Sequence, residues 1–390
     1  MKRVTYFFAV IQIFFTSCTI FEKKEIKIPF TYDGNLYLKC KINATFIGEF
    51  MFDTGANGLY LDSTFNQKSG LKYSFNQTEV MSDPQNGSNK PPLVFECSTI
   101  TYTSTNPYTM DIKKVFGKQA DGIVGWDLFN HKVIKIDYLK SIINVVDSSD
   151  FIVDDSYIKI PLTFSRYILI NSEVIFNELG AIKGDFVLDL GYQGSILLTS
   201  ATTNKINIDS SSDKRIQYIS DWGSLNGRAA GFVTKAKSVK FASLELVKPL
   251  VFCSKDRNGP LASGEYLGLI GNRILEHFDV TIDFSHKVMY LKPNINYNVS
   301  MQFTKSGLEL IDRTDVCEGW LVNRVYFETE AEKAGIKPGD TITEINNHDI
   351  KEFLYKDIKE VFNRAGDSVS LKVKKGPGHL KINIKLKEYL

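Results

Sequence analysis

Residues 48–61 read GEFMFDTGANGLYL, and residues 184–197 read GDFVLDLGYQGSIL. Gly48, Phe50, Asp53, Gly55, Gly58 and Leu61 of the first match Gly184, Phe186, Asp189, Gly191, Gly194 and Leu197 of the second, always 136 positions apart. In each copy an apolar run ends in an aspartate, and a glycine follows two positions on. That pattern puts a carboxylate at the end of a buried strand, on a turn that glycine eases. A charge there is costly unless it is paired or used.

A second matched pair follows each of these. Residues 121–138, DGIVGWDLFNHKVIKIDY, align with residues 267–284, LGLIGNRILEHFDVTIDF, through Gly122, Gly125, His131, Ile136 and Asp137 against Gly268, Gly271, His277, Ile282 and Asp283. The order of features is the same in both halves, which a duplicated half-domain explains. If the halves pack about a pseudo-twofold axis, the two turns meet and Asp53 faces Asp189. Two carboxyl groups that close share one proton and their titrations split. Such a pair can hold a water, with one member taking its proton while the other polarises a carbonyl. No metal, cofactor or covalent intermediate is needed.

These residues resemble the pepsin/retropepsin-like aspartic peptidases. Asp53-Thr54-Gly55-Ala56 corresponds to the family signature and Asp189-Leu190-Gly191 to its second copy, while Ile123-Val124-Gly125 and Leu269-Ile270-Gly271 correspond to the strands that cross beneath the turns. The resemblance covers about residues 26–293. It implies a bilobal, mainly β domain, a polypeptide substrate, Asp53 and Asp189 as catalytic residues, and Thr54, Gly55, Gly191, Gly125 and Gly271 as their support. Gly125 and Gly271 are expected to serve packing, and His131 and His277 to be remnants of the duplication. One departure matters. The family places Thr or Ser after each aspartate, whose hydroxyls lock the turns together; Leu190 cannot take part, which removes roughly 1 kcal/mol of net hydrogen bonding. A flap hairpin over the cleft is expected within residues 78–92, from their turn content.

Residues 328–350, ETEAEKAGIKPGDTITEINNHDI, resemble the most recognisable stretch of PDZ domains, through Ala334-Gly335-Ile336, Pro338-Gly339-Asp340 and Glu344-Ile345-Asn346-Asn347. The resemblance implies a small α+β domain over residues 301–390 that takes a peptide ligand. Gly307, Leu308, Glu309 and Leu310 fall where its peptide-binding loop belongs, and residues 354–363 where a helix walls the groove. Glu309 stands where glycine is usual, which disfavours a free carboxylate and points to internal peptide segments.

The rest of the sequence bounds these expectations. A length of 390 residues allows two or three domains, and 27 Phe and 18 Tyr lean the composition toward strands. A formal charge of +2 gives no reason to invoke nucleic acid. Lys2 and Arg3, then an apolar run over residues 4–15, resemble an export signal, and Phe15-Thr16-Ser17-Cys18 resembles the lipobox of bacterial lipoproteins. Residues 1–18 are therefore expected to be a signal peptide, with Cys18 lipidated and the chain held by its anchor in the bacterial cell envelope. Lobes are expected at residues 26–150 and 155–297, joined by a polar connector near 147–157, and a monomer suffices. Cys40, Cys97, Cys253 and Cys317 allow one or two disulfides that spacing cannot pair, and the five scattered histidines give no zinc spacing. A serine-hydrolase elbow is absent, since residues 223–227 misplace the serine, and glycosidase carboxylates do not sit on duplicated turns. The alternative is a lipoprotein of decayed activity that captures peptides through its cleft and PDZ groove; Leu190 supports it.

Overall fold

The computed structural model describes residues 25–71, 73, 91–208, 213–224, 227–364 and 366–390. Cys18 and the signal segment, and residues 78–90 of the expected flap, lie outside the described residues.

The first half comprises β1 (Ile26–Tyr32), β2 (Leu36–Ile42), β3 (Phe46–Asp53), β4 (Leu59–Asp62), α1 (Ser63–Lys68), β5 (Leu93–Cys97), β6 (Ile100–Ser104), β7 (Tyr108–Met110), α2 (Lys113–Phe116), β8 (Gly122–Gly125), β9 (Lys132–Asp137) and β10 (Ile142–Asp147). The second half runs through β11 (Ile158–Phe164), β12 (Ile168–Ile175), β13 (Ala181–Leu188), β14 (Ile196–Leu198), α3 (Ser200–Lys205), β15 (Arg215–Ser224), β16 (Gly227–Lys235), β17 (Ser238–Phe241), β18 (Leu244–Val247), β19 (Leu250–Ser254), β20 (Gly268–Ile270), α4 (Asn272–Leu275), β21 (Phe278–Asp283) and β22 (Val288–Pro293). A third unit holds β23 (Leu308–Asp312), β24 (Trp320–Tyr326), α5 (Glu330–Lys333), β25 (Thr341–Ile345), β26 (His348–Asp349), α6 (Tyr355–Phe362), β27 (Ser368–Lys375) and β28 (Gly378–Lys385). Strands dominate throughout.

The two halves share one wiring. β3 pairs in parallel with β8, and β4 pairs with β8 on its other side in antiparallel sense; β13, β20 and β14 repeat that arrangement. Phe50, Met51 and Phe52 are all fully buried. A strand flanked by partners on both sides and covered on both faces reads as a continuous apolar run rather than an alternating one. α1 and α3 occupy matching places, capped by the side chains of Asp62 and Thr199. β1 and β11 also match, IKIPFTY against IKIPLTF, with the same alternation of buried and exposed positions. The proline of each sits where the strand leaves one sheet for the next.

One six-stranded antiparallel sheet, in the order β1–β10–β9–β21–β22–β11, belongs to both halves. Its centre is the β9–β21 pairing, where Ile134 faces Ile282 and Ile136 faces Val280. Buried residues of both halves form one hydrophobic core.

The third unit has its own core, around Val322, Ile342, Leu371 and Val373, and is joined firmly to the second half. β24 pairs with β15, with Tyr218 opposite Tyr326. Phe303 and Tyr326 pack edge to face and are buried in the core of the first two halves. Lys118 of the first half reaches Asp312 through an ion pair of 3.0 Å and a backbone bond of 2.8 Å.

Cys40 and Cys97 lie opposite each other at the end of the β2–β5 ladder, next to the Lys41–Glu96 pair. Both are buried, and burial with the adjacent thiol pushes Cys40 far above the usual thiol range. Protein folded under oxidising conditions is therefore expected to carry a Cys40–Cys97 disulfide, while in protein folded reduced the Cys40 thiol stays protonated and unreactive. Peptide mapping by mass spectrometry without reductant checks this, and a linkage through Cys253 or Cys317 instead counts against it.

Candidate active site

Asp53 ends β3 opposite Gly125, and Asp189 follows β13, its N–H donating to the Ile270 carbonyl at 3.0 Å. Beyond each aspartate the chain turns back, Ala56 N–H bonding to the Asp53 carbonyl and Tyr192 N–H to the Asp189 carbonyl. The ends of β8 and β20 pass directly beneath these turns. A Cβ on Gly125 would stand 2.5 Å from the Asn57 Cα, and one on Gly271 2.3 Å from the Tyr192 carbonyl oxygen. Glycine alone allows that approach. Matching bonds then fasten strand to turn, from Trp126 N–H to the Ala56 carbonyl at 3.2 Å and from Asn272 N–H to the Tyr192 carbonyl at 2.9 Å.

The two turns meet. A Cβ on Gly55 would come within 3.1 Å of the Asp189 carboxyl carbon, and one on Gly191 within 2.4 Å of that of Asp53. Each turn thus lies against the other half's carboxyl group, and the two carboxyls stand close enough to interact directly. Gly55 N–H also donates to Asp53 Oδ1 at 2.7 Å. Burial raises the pKa of both acids. For Asp53, hydrogen bonds from Gly55, from Asp189 and from the Gly191 and Ala56 amides pull back against that rise. Asp189 lies well above the ordinary carboxylate range, because the negative Asp53 beside it adds to the effect of burial. Two carboxyls this close share one proton, and the burial of both raises the pH range over which the pair keeps it.

Behind the acids, Thr54 bridges the halves. Its hydroxyl donates to the Leu188 carbonyl at 2.6 Å and accepts from Leu190 N–H at 3.0 Å. Leu190 is fully buried and has no hydroxyl with which to reciprocate. A different side chain ties its turn down: Asn272 Nδ2 donates to the Leu190 carbonyl at 2.6 Å, and Asn272 Oδ1 accepts from the Tyr138 hydroxyl at 2.9 Å. Tyr138 comes from the first half, so this chain of bonds also crosses between halves. Nothing in the sequence marked Asn272 except its place just after Gly271, where the first half has Trp126.

A cavity of about 970 Å³ opens above the acids. Asp53 and Asp189 line it, with Gly55, Gly191, Tyr60 and Trp126 among their neighbours. Leu308, Glu309 and Leu310 of the expected peptide-binding loop line the same cavity. Gly307 lies beneath them at a φ of +75°, where a Cβ would come 2.3 Å from Thr329 Oγ1. Glu309 is held by Arg324 in an ion pair of 2.8 Å and by the Tyr326 hydroxyl. Its charge is met by these two partners. His131 sits exposed in a turn at a φ of +61°, and buried His277 hydrogen-bonds to the Asn296 carbonyl, neither of them lining the cavity. Among the described residues no cluster of His, Cys, Asp and Glu could hold a metal ion.

Residues 302–374 match the family model for the PDZ domain. A stretch of 70 residues is 31% identical to the PDZ and LIM domain protein Zasp of Drosophila melanogaster, covering 18% of this chain and 3% of that protein. The match thus spans a small fraction of that relative's length. The chain is mainly β and carries a PDZ domain at its C-terminal end, a domain type that recognises peptides or partner proteins.

Two outcomes are expected from this geometry. Asn272→Ala leaves the Leu190 carbonyl and Tyr138 hydroxyl without partners in a buried site, and should lower stability by about 2–4 kcal/mol in denaturant unfolding; a loss under ~0.5 kcal/mol would mean the bonds hold nothing in place. Asp189 binds its proton more tightly folded than unfolded, so above a pH of about 4 its contribution to stability falls as pH rises. Asp189→Asn should make that decline shallower, with Asp53 alone left to contribute. Thermal melts of both proteins between about pH 4 and 8 test it, and parallel curves would contradict the shared proton.

Proposed function

We propose that this chain is an aspartic endopeptidase, a bilobal pepsin-like β domain with a PDZ domain that recognises peptides. The observation that carries the proposal is the contact of two buried carboxyl groups on twin turns, at the floor of a cavity large enough for a polypeptide segment. In the proposed reaction a water bridges the acids. Asp53, ionised, takes one proton from it as its oxygen bonds to the carbonyl carbon of the scissile amide. Asp189 gives its proton to the carbonyl oxygen, forming a neutral tetrahedral diol. The amide nitrogen then takes up the proton held by Asp53, and the C–N bond breaks. As the carbonyl re-forms, a diol hydroxyl returns its proton to Asp189, restoring the monoanionic pair. Export and lipid anchoring at Cys18 form part of the same proposal and are supported by the sequence of residues 1–18.

A second reading has one observation in its favour. Leu190 leaves the inter-turn lock one-sided, and a cleft that binds peptides without cutting them would tolerate this. The two readings part in one experiment. An unfolded protein substrate should be cleaved by the wild type, the cleavage blocked by a pepstatin-type inhibitor, and the rate reduced by roughly 10³-fold or more in Asp53→Asn and in Asp189→Asn. The rate should follow a bell in pH, because only the singly protonated pair works, with both limbs displaced above the ordinary carboxylate range by burial. Absence of cleavage at any pH from about 3 to 8, with peptide binding retained, would favour the binding reading.

A further inference from the structure

We infer that a single extended polypeptide occupies the PDZ groove and the Asp53–Asp189 cleft at the same time, the groove gripping a segment flanking the bond to be cut. This rests on the hydrolase reading above and adds to it the part of the substrate that is recognised. The cavity over the two acids does not end at the second half. Residues of β23 and α6, Leu310, Ile358 and Phe362, line the same cavity as the two acids. At about 970 Å³ it stands at the upper end of ordinary ligand pockets, which run to ~1,000 Å³.

The groove side is built for an added strand. Among the described residues β23 pairs with β24 alone, and although Leu308 is bonded to Ser306 and Thr304 and the Asp312 carbonyl to Lys118 N–H, the stretch between them has no strand on its other side. At Arg324 and Val325, β24 has β23 on one side and β15 on the other. A peptide laid along β23 would therefore become the outermost strand of a sheet that runs through β24 and β15 to β16, in the half that supplies Asp189. The PDZ domain cannot swing freely, since Tyr326 is fully buried and Lys118 ties Asp312 to the first half. Its groove is held over the cleft in a fixed direction. The occupant fitting both ends is an unfolded segment with bulky apolar side chains, because the cavity lining is rich in aromatic rings, Tyr60 stacked on Tyr108 and Trp126 among them.

A peptide series tests this. One cleavable core is lengthened stepwise from either end, from about 4 to about 16 residues, or about 13 to 53 Å when extended. With the wild type, KM should fall at least ~10-fold in one of the two series once the tail reaches the groove, with kcat little changed. With Asp53→Asn, a photo-crosslinking residue at that tail should label residues 308–312 or 355–362. Equal KM at all lengths, or labelling elsewhere, overturns the inference while cleavage of the shortest peptide leaves the hydrolase reading intact. If no peptide is cut, the hydrolase reading falls, and the tail crosslink in Asp53→Asn still decides whether one chain spans both sites.

Discussion

Two carboxyl groups pressed together inside a protein hold one proton between them, and much of this structure keeps Asp53 and Asp189 in that position. Each acid ends a strand buried on both faces, so its backbone has little freedom to retreat. The glycines at 55 and 191 let each turn lie flat against the opposite acid, and those at 125 and 271 let a strand run directly beneath. The charge that remains is met by backbone N–H groups and by the partner's proton rather than by a cation. A positive side chain here would ionise both acids and remove the proton that makes the pair useful.

Much of this could be read from the order of residues. The repeat around Asp53 and Asp189 announced two equivalent turns, because an acid closing an apolar run has few structural uses. The match of residues 26–32 with 158–164 was equally available and extends the repeat to the outer strands of the shared sheet. Asn272 was not legible, since its function depends on Tyr138 arriving from 134 residues away. The compensation of Glu309 was hidden in the same way: Arg324 and Tyr326 become its partners only when β24 lies beside β23. Local sequence carries turn chemistry and strand periodicity well, whereas polar contacts across sheets are set by register, which no short stretch encodes.

The placement of the PDZ domain is the feature furthest from the sequence. Phe303 and Tyr326 are part of the main core, and β24 extends the sheet of the second half. Association through an edge strand uses backbone groups and leaves little trace in side-chain pattern. It also disposes of an exposed strand edge on the β15–β16 hairpin, which would otherwise invite aggregation.

Leu190 gives the molecule a direction. Two chains each built from a half like the first could fasten to one another symmetrically, threonine to threonine. Two built from the second could not, having only hydrocarbon to offer where a hydroxyl is wanted. With Asn272 recruited on one side alone, the ancestral equivalence of the halves is spent, and neither can be exchanged for a copy of the other. The two acids, alike in their sequence setting, thus stand in turns fastened by unlike means.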